Sequence, residues 1–376
     1  MKIVYISSST IPSKAANSIH VMKMCQAFSR NGHEVTLIAK QGGQAEWQQI
    51  KQEYGVEADF ACQRIPLKSM RGRGYIYAWQ AVNNAISLQP DIIYCRNLAA
   101  AWLATLRGYK VIFESHAPVS DSGVVASGLF RRLLKSANLV KLVVITKALA
   151  NYYRVQYGVA DNLLLVAADG ADEIAEDTVP MPLSGRTGCM QIGYVGHLYA
   201  GKGMEVVLPL ARLSSNADFH IVGGTDKDLN YWREQAADIP NITFHGHVPH
   251  HQTAAYIQAF DVVLLPNQAK VNAYGKGGND IGQWTSPLKA FEYMAAGKPI
   301  IASDLPVLGE VFTDRYNALL CAADNTQQWR DCVLLLSEDT GLRANLGINS
   351  RNEFEAKYNW FARAKHIISG LPRRLN

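Results

Sequence analysis

The chain has 376 residues, of which 48% are hydrophobic and 18% charged. At roughly 100–200 residues per domain that length suits two domains, and the composition excludes wholesale disorder. The net charge of +5 is uneven: residues 1–170 carry 19 Lys and Arg against 10 Asp and Glu, and residues 171–376 carry 18 against 22. The basic first half suits an anionic partner or surface, although uneven solvated charge fits the same count.

The opening run Met1–Ile6 turns polar at Ser7, too early for a signal-peptide core. No apolar run approaches the roughly 18–20 residues that span a bilayer. The expected address is cytoplasmic. The six cysteines, Cys25, Cys62, Cys95, Cys189, Cys321 and Cys332, include no C-x-x-C pair and read as reduced thiols rather than a disulfide framework or zinc site.

In chain order, Lys2–Ile6 reads as a strand and Ser7 to Ala16 as a polar loop with Pro12. Asn17 or Ser18 caps a helix over 19–30, with Ile19, Met22, Ala27 and Phe28 on its apolar side, and Gly32 stops it. Glu34–Ala39 is the next strand, which completes a β-α-β unit and implies a parallel sheet. Asp91–Cys95, Lys110–Glu114, Leu139–Ile145 and Asn162–Val166 continue the strands, with helices near 99–107 and 147–157. Asp177 to Gly188 carries Pro180, Pro182, Gly185 and Gly188 without periodicity and reads as a linker. The alternation then restarts: strands at Met190–Val195, Asp218–Val222, Asn241–His245, Asp261–Leu265 and Pro299–Ala302, with helices from Met204, near 252–259 and near 287–296. The fold class is α/β, two tandem Rossmann-like doubly wound domains with an interdomain cleft. The amphipathic end, Asn359–Leu371, carries Trp360 and Phe361.

Five runs carry the candidate chemistry. In Gln283–Asp304, Ser286 suits a helix cap and Pro287 the first helical position. That leaves the amides of Leu288 and Lys289 at a positive helix end able to hold phosphate, with Glu292 on the same side of the helix to accept ribose hydroxyls. An ordinary capped helix fits the same residues equally well. In Gly193–Gly203 (GYVGHLYAGKG), Lys202 is placed to reach an anion, or stands as a surface lysine in a flexible loop. His116 follows a buried strand, where a lone histidine is structural more often than functional but strand ends are where such sheets bind ligands. His245, His247, His250 and His251 match no zinc spacing and lack a nearby carboxylate or cysteine in sequence, so a turn beside a ligand base is the better reading. Arg64, Lys68, Arg71 and Arg73, with Arg131, Arg132 and Lys135 beside Leu129, Phe130, Leu133 and Leu134, suit anionic headgroups or a diphosphate-bearing acceptor; a core-facing helix with solvated basic residues suits them as well.

Together these runs resemble the retaining GT-B glycosyltransferases of family 4, in the subgroup with an SPLKxFEYMA motif. The carrying residues are GHEVTLIA (Gly32–Ala39), ESHAP (Glu114–Pro118), VGHLYAGKG (Val195–Gly203) and WTSPLKAFEYMAAGKPIIASDLP (Trp284–Pro306). The resemblance implies a first domain of residues 1–176 with a terminal helix, 358–376, crossing back to it; a linker, 177–188; and a donor domain, 189–357. It implies that the second domain binds a nucleoside-diphosphate sugar, UDP- or GDP-linked. The donor-binding residues would be Gly196, His197, Lys202, Val248, Ser286, Pro287, Leu288, Lys289 and Glu292, with Val248 beside the base. It implies that the first domain binds a sugar or lipid-linked acceptor, that His116, Lys202 and Glu292 serve catalysis, that no metal or other cofactor takes part, and that domain closure excludes water. The implied setting is polysaccharide, lipopolysaccharide or glycolipid assembly, with peripheral contact at the inner membrane face and no nucleic-acid role.

Three positions depart from the family pattern. Trp284 replaces a Glu that contacts sugar hydroxyls, His197 replaces an Arg, and Ala15-Ala16-Asn17 replaces a Gly pair. The shared two-Rossmann plan leaves open a nucleotide-sugar epimerase, which would need no acceptor, and the replaced Glu and Arg positions leave open a non-catalytic nucleotide-sugar binding protein.

Overall fold

The computed structural model describes residues 1–13, 15–67, 72–271, 280 and 282–371. The chain divides into two compact units, which meet at Asp169/Gly170 and again at Asn359/Trp360.

The first unit holds seven strands: β1 (Lys2–Ile11), β2 (Glu34–Gln41), β3 (Ala61–Ile65), β4 (Ile92–Cys95), β5 (Val111–Ser115), β6 (Leu139–Val144) and β7 (Leu164–Val166). They pair in parallel in the order β3-β2-β1-β4-β5-β6-β7. All four residues of β4 and all five of β5 are buried, as strands covered by helices on both faces must be. The Trp360–Ile368 helix groups with this unit and packs on the Ala16–Arg30 helix. Trp360 is buried, its ring edge-on to His20 at 5.2 Å, and Phe361 is exposed.

Three local differences from the sequence reading have physical causes. β1 does not end at Ile6 but runs to Ile11. A register shift lets Thr10 and Ile11 rejoin β2 opposite Lys40 and Gln41, and the polar Ser7 and Ser9 are buried within it. The first helix starts at Ala16 with no side-chain cap, because the Ser18 hydroxyl donates to the carbonyls of Ser13 and Ala15 instead. That helix also lacks a polar back. His20, Lys23 and Gln26 are buried, Lys23 donating to Gly55 O at 2.7 Å and Gln26 accepting from the amides of Glu57 and Ala58.

The second unit holds β8 (Met190–Val195), β9 (Ala217–Val222), β10 (Ile242–Gly246), β11 (Val262–Leu265), β12 (Ile300–Ser303) and β13 (Leu319–Cys321). They are parallel, in the order β10-β9-β8-β11-β12-β13. Its core joins Tyr194, Phe219, Leu264, Val207 and Trp329. In each unit the strand order reverses beside the first strand, between β1 and β4 and between β8 and β11. Doubly wound sheets bind ligands beyond the strand ends at such points.

Candidate active site

In the second unit the switch point is built from the Gly196–Gly203 loop after β8 and the Leu288–Ala295 helix. Tyr293 fixes the two together, its hydroxyl accepting from the Val195 amide at 2.8 Å. Gly196 has φ +149° and lies against Lys289: a Cβ there would stand 3.6 Å from Lys289 Cδ and 3.3 Å from the Tyr194 hydroxyl. Gly203, φ +99°, closes the loop where a Cβ would meet Pro266 O at 2.1 Å. Glycine is therefore required at both turns. The helix begins at Leu288 with Pro287, not Ser286, in the capping position, and among the described residues no side chain caps it, an arrangement that suits its first amides to a ligand. Proline carries no N–H and suits an extended residue before a helix.

Three basic side chains gather here. Lys289 is buried, its Nζ 4.0 Å from the Tyr194 ring centroid and with no hydrogen-bond partner among the described residues. Burial, then the charge of Lys202, hold its pKa well below the ordinary lysine value, against a smaller opposing effect of Glu292. Burial pushes Lys202 down to about 8. Burial, with Lys202 and Lys289, pushes His197 down to about 4, so it is a neutral imidazole at pH 7 and not the cation that an Arg in its place would be. Burial lowers all three, and Lys202 lowers the other two further, so an anion would relieve the site.

Glu292 adjoins the cluster and pairs with His250, Nε2 to Oε1, at 2.9 Å. That carboxylate is the one the histidine-rich run lacked in sequence, 42 residues away. The four histidines do not assemble as one group. His245 stacks on His220 at 5.3 Å, and His220 bonds to Gln191 at 2.7 Å. Val248 lies in the turn between β10 and His250. Gly196, His197, Lys202, Lys289 and Glu292 thus come together, with Ser286, Pro287 and Leu288 at the helix start and His250 as a member that sequence reasoning missed.

His116 belongs to the first unit, directly after β5. Its Nε2 is 2.6 Å from Glu114 Oε1. Burial alone would raise Glu114; Arg363, with His20 and His116, overrides it and holds the carboxyl well below the usual range. Glu114 is therefore an acceptor, so His116 donates through Nε2 and presents Nδ1 as a hydrogen-bond acceptor. Burial, then Arg96, push His116 down to about 4, which keeps it neutral. Arg363 Nη2 donates to Glu114 Oε1 at 2.8 Å and its Nε to Ala168 O at 2.8 Å, and the Tyr94 hydroxyl donates to Glu114 Oε2.

His20, Glu114, His116 and Asp169 are a group of four potential metal ligands whose nearest atoms lie within 4.8 Å of one another. Its chemistry does not suit an ion. Arg363 already donates to Glu114 Oε1, and His20 sits 3.2 Å from Glu114 and 2.9 Å from Asp169. A guanidinium occupies the charge a metal would bring.

Of the basic run near residue 64, Lys68 and Arg71 lie outside the described residues. Arg64 donates to Ala45 O at 2.9 Å, and Arg73 begins the Arg73–Ser87 helix. On the Val124–Leu134 helix Phe130 and Leu133 are buried, while Arg131 and Arg132 are exposed with Val124 and Val125.

Comparison with known proteins agrees with this architecture. Residues 18–172 match the family described as Glycosyltransferase Family 4, and residues 190–339 match Glycosyl transferases group 1. Each half thus matches a glycosyltransferase family, and the two parallel sheets have the GT-B architecture. A relative described as an uncharacterized glycosyltransferase, MJ1069 of Methanocaldococcus jannaschii, is 28% identical over 193 residues, which are 50% of this chain and 46% of that one. The chain spans less than half the length of the curated relatives it matches. The same fold occurs in Anabaena HepE, solved in complex with UDP, with a TM-score of 0.70 at 16% identity over 98% of both chains. It occurs also in WaaG, a glycosyltransferase involved in lipopolysaccharide biosynthesis, with a TM-score of 0.66 at 14% identity over 98% of this chain and 100% of that one.

Proposed function

We propose that this protein transfers a glycosyl group from a nucleoside-diphosphate sugar to an acceptor hydroxyl, with retention of anomeric configuration and without a metal ion. The observation that carries this reading is the meeting of Lys202, Lys289 and a helix start with no side-chain cap among the described residues.

The donor's diphosphate lies against Gly196, the amides of Leu288 and Lys289, and Lys202. Glu292, oriented by His250, accepts from the ribose hydroxyls, and Val248 lies beside the base. As the bond from the anomeric carbon to the phosphate oxygen breaks, negative charge grows on the diphosphate. The lysines and helix amides stabilise that charge where a metal otherwise serves; one such donor is worth about 3–4 kcal/mol of barrier. The acceptor oxygen bonds to the same face, and its proton passes to the departing diphosphate. In the first unit His116 is a neutral hydrogen-bond acceptor through Nδ1, suited to a sugar hydroxyl.

HepE in complex with UDP supports a uridine nucleotide as the first to test. The role named for WaaG, and the exposed Arg131 and Arg132 beside Val124 and Val125, support assembly of a cell-surface glycan or glycolipid at a membrane face. No helix among the described residues is long and apolar enough to cross a membrane. Calorimetric titration with UDP and GDP, followed by transfer assays with EDTA present, tests the reading. Selective binding of one nucleotide and metal-free transfer are expected, and binding of neither nucleotide would end it.

A further inference from the structure

Among the described residues, each unit encloses a basic side chain with an unpartnered nitrogen. In the second it is Lys289, within the site already described. In the first it is Arg96, which appears above only for its effect on His116.

Arg96 follows β4 directly, at the point where the strand order of the first sheet reverses between β1 and β4. Register sets Cys95 beside Ile6 on one side and Phe113 on the other. The next residue, Arg96, therefore stands between the levels of Ser7 and Glu114, and its amide donates to Ile6 O at 2.9 Å. Ligands of doubly wound sheets bind beyond the strand ends at such a point.

The side chain is partly buried and its Nη1 fully enclosed, yet among the described residues no atom accepts a hydrogen bond from Nη1 and no carboxylate forms an ion pair with Arg96. Arg363, in the same unit, shows what a satisfied arginine looks like here: it donates to Glu114 and to the carbonyls of Ala167 and Ala168. The candidates for pairing with Arg96 are engaged elsewhere. Glu114 Oε1 takes His116 and Arg363, Glu114 Oε2 takes Tyr94, and Asp169 lies against His20. The adjacent Asn97 is engaged as well, donating to Ser8 Oγ at 2.9 Å and capping the helix that starts at Leu98. Glu114 and Asp169 favour the Arg96 charge through space without bonding to it. A guanidinium is a planar fork of five N–H donors that fits a carboxylate or phosphate in bidentate fashion. Removing it from water without an acceptor is costly, so its acceptor is expected from outside the chain.

We propose that Arg96 anchors an oxyanion-binding site at the switch point of the first sheet, and that it takes a carboxylate or phosphate carried by the acceptor. His116 stands beside it at the end of β5, so a sugar whose anionic group is held by Arg96 has one of its hydroxyls within the reach of this strand edge. The site selects anionic over neutral acceptors. Its acceptor role rests on the glycosyltransferase reading; the binding of an oxyanion does not.

The test is protection of Arg96 from phenylglyoxal in the full-length protein, mapped by peptide mass spectrometry with UDP present throughout to fill the donor site. Glucuronate, geranyl diphosphate and glucose are the probes. Protection by glucuronate but not glucose supports the site and assigns a uronate-type carboxylate; protection by geranyl diphosphate alone supports it and assigns a lipid diphosphate. Protection by none of the probes, or equal protection by glucose, overturns it. So does an Arg96 that resists phenylglyoxal without any ligand, because a guanidinium closed to a dicarbonyl is closed to an oxyanion. Arg96→Met, checked for folding by circular dichroism, is expected to bind the protecting probe at least tenfold more weakly, with Arg96→Lys intermediate; undiminished binding to Arg96→Met overturns the proposal. Protection of Arg96 without glycosyl transfer from any donor would remove the transferase reading and leave the site standing.

Discussion

The Lys289 Nζ lies 4.0 Å from the centroid of the Tyr194 ring, and among the described residues no oxygen accepts a hydrogen bond from it. Its neighbours Lys202 and His197 are basic, and Glu292, the acidic group coupled to it, is already engaged by His250. An aromatic face eases a buried cation but does not replace an oxygen acceptor. The missing charge is what a diphosphate brings.

The first prediction follows from that pair. Lys289→Met keeps the length of the side chain and removes its nitrogen. A hydrogen bond to a charged group is worth about 1.5–3 kcal/mol, so UDP affinity should fall about 10- to 100-fold by calorimetry. Because burial holds the Lys289 amine well below the ordinary lysine pKa, UDP binding to the native protein at any pH above that lowered pKa should take up protons. Titrations in HEPES and Tris should differ in heat accordingly, and the difference should shrink in Lys289→Met. The sign for stability is the opposite of an ion-paired lysine. Between the lowered pKa and about 10.4 the unfolded chain binds a proton that the folded one does not, so stability rises with pH across that window. Lys289→Met should flatten the rise.

Lys202 gives a second pH dependence, nearer neutrality. Its pKa is pushed down to about 8 by burial. Below pH 8 it is charged before the donor arrives, and affinity should be level with respect to this group. Above pH 8 a proton must be bound together with the donor, so UDP affinity should fall by up to tenfold per pH unit. Lys202→Met should bind more weakly throughout and lose that limb. A Lys202→Met protein with the same slope above pH 8 would assign the titration elsewhere.

The third prediction concerns what holds the first unit around His116. Arg363 is 2% exposed and Glu114 0%, and removing one partner from such a pair costs about 3–5 kcal/mol because the other charge is left buried. Arg363→Met should lower the urea midpoint of the first unit accordingly. Glu114 is held well below the usual carboxylate range, so its contribution is present above about pH 4.3 and is lost as pH falls towards the folded value. With Arg363 gone, acid unfolding should begin at a higher pH.

The sheets were legible in the chain because a buried parallel strand writes a continuous apolar run, as DIIYC and KVIFE do. β3 was not, since its ACQRI sequence buries only Ile65 fully and reads like the basic loop that follows. β1 was under-read for the opposite reason: Ser7 and Ser9 look like loop residues but are buried. At the second-unit site the helix start, Lys202 and Glu292 were visible as a local motif. The Lys289 side chain was not, because a lysine on an amphipathic helix is assigned to solvent until a tertiary neighbour such as Gly196 closes over it. His250 with Glu292, and Arg363 with Glu114, are 42 and 249 residues apart, and no periodicity links such positions. Single-chain reading found the strand ends where chemistry belongs; the partners that set the charge of each group came from the fold.

The last prediction tests whether the loop after β8 is held in one shape for the donor. Gly203 has φ +99°, and a Cβ there would lie 2.1 Å from Pro266 O, a backbone atom that cannot rotate away. Gly203→Ala must therefore shift either the residues after β11 or the turn that carries Lys202. Holding a non-glycine residue in such a conformation costs about 1–3 kcal/mol before the contact is counted. Melting temperature should fall, and UDP affinity should fall with it because the Lys202 turn moves. Gly309→Ala is the matched control, since a Cβ at that position has open space and the residue carries no positive φ. Its melting temperature and UDP affinity should stay near the native values. If Gly203→Ala bound UDP as tightly as Gly309→Ala does, the loop would not be the phosphate cradle, and the helix start at Leu288 would have to hold the donor without it.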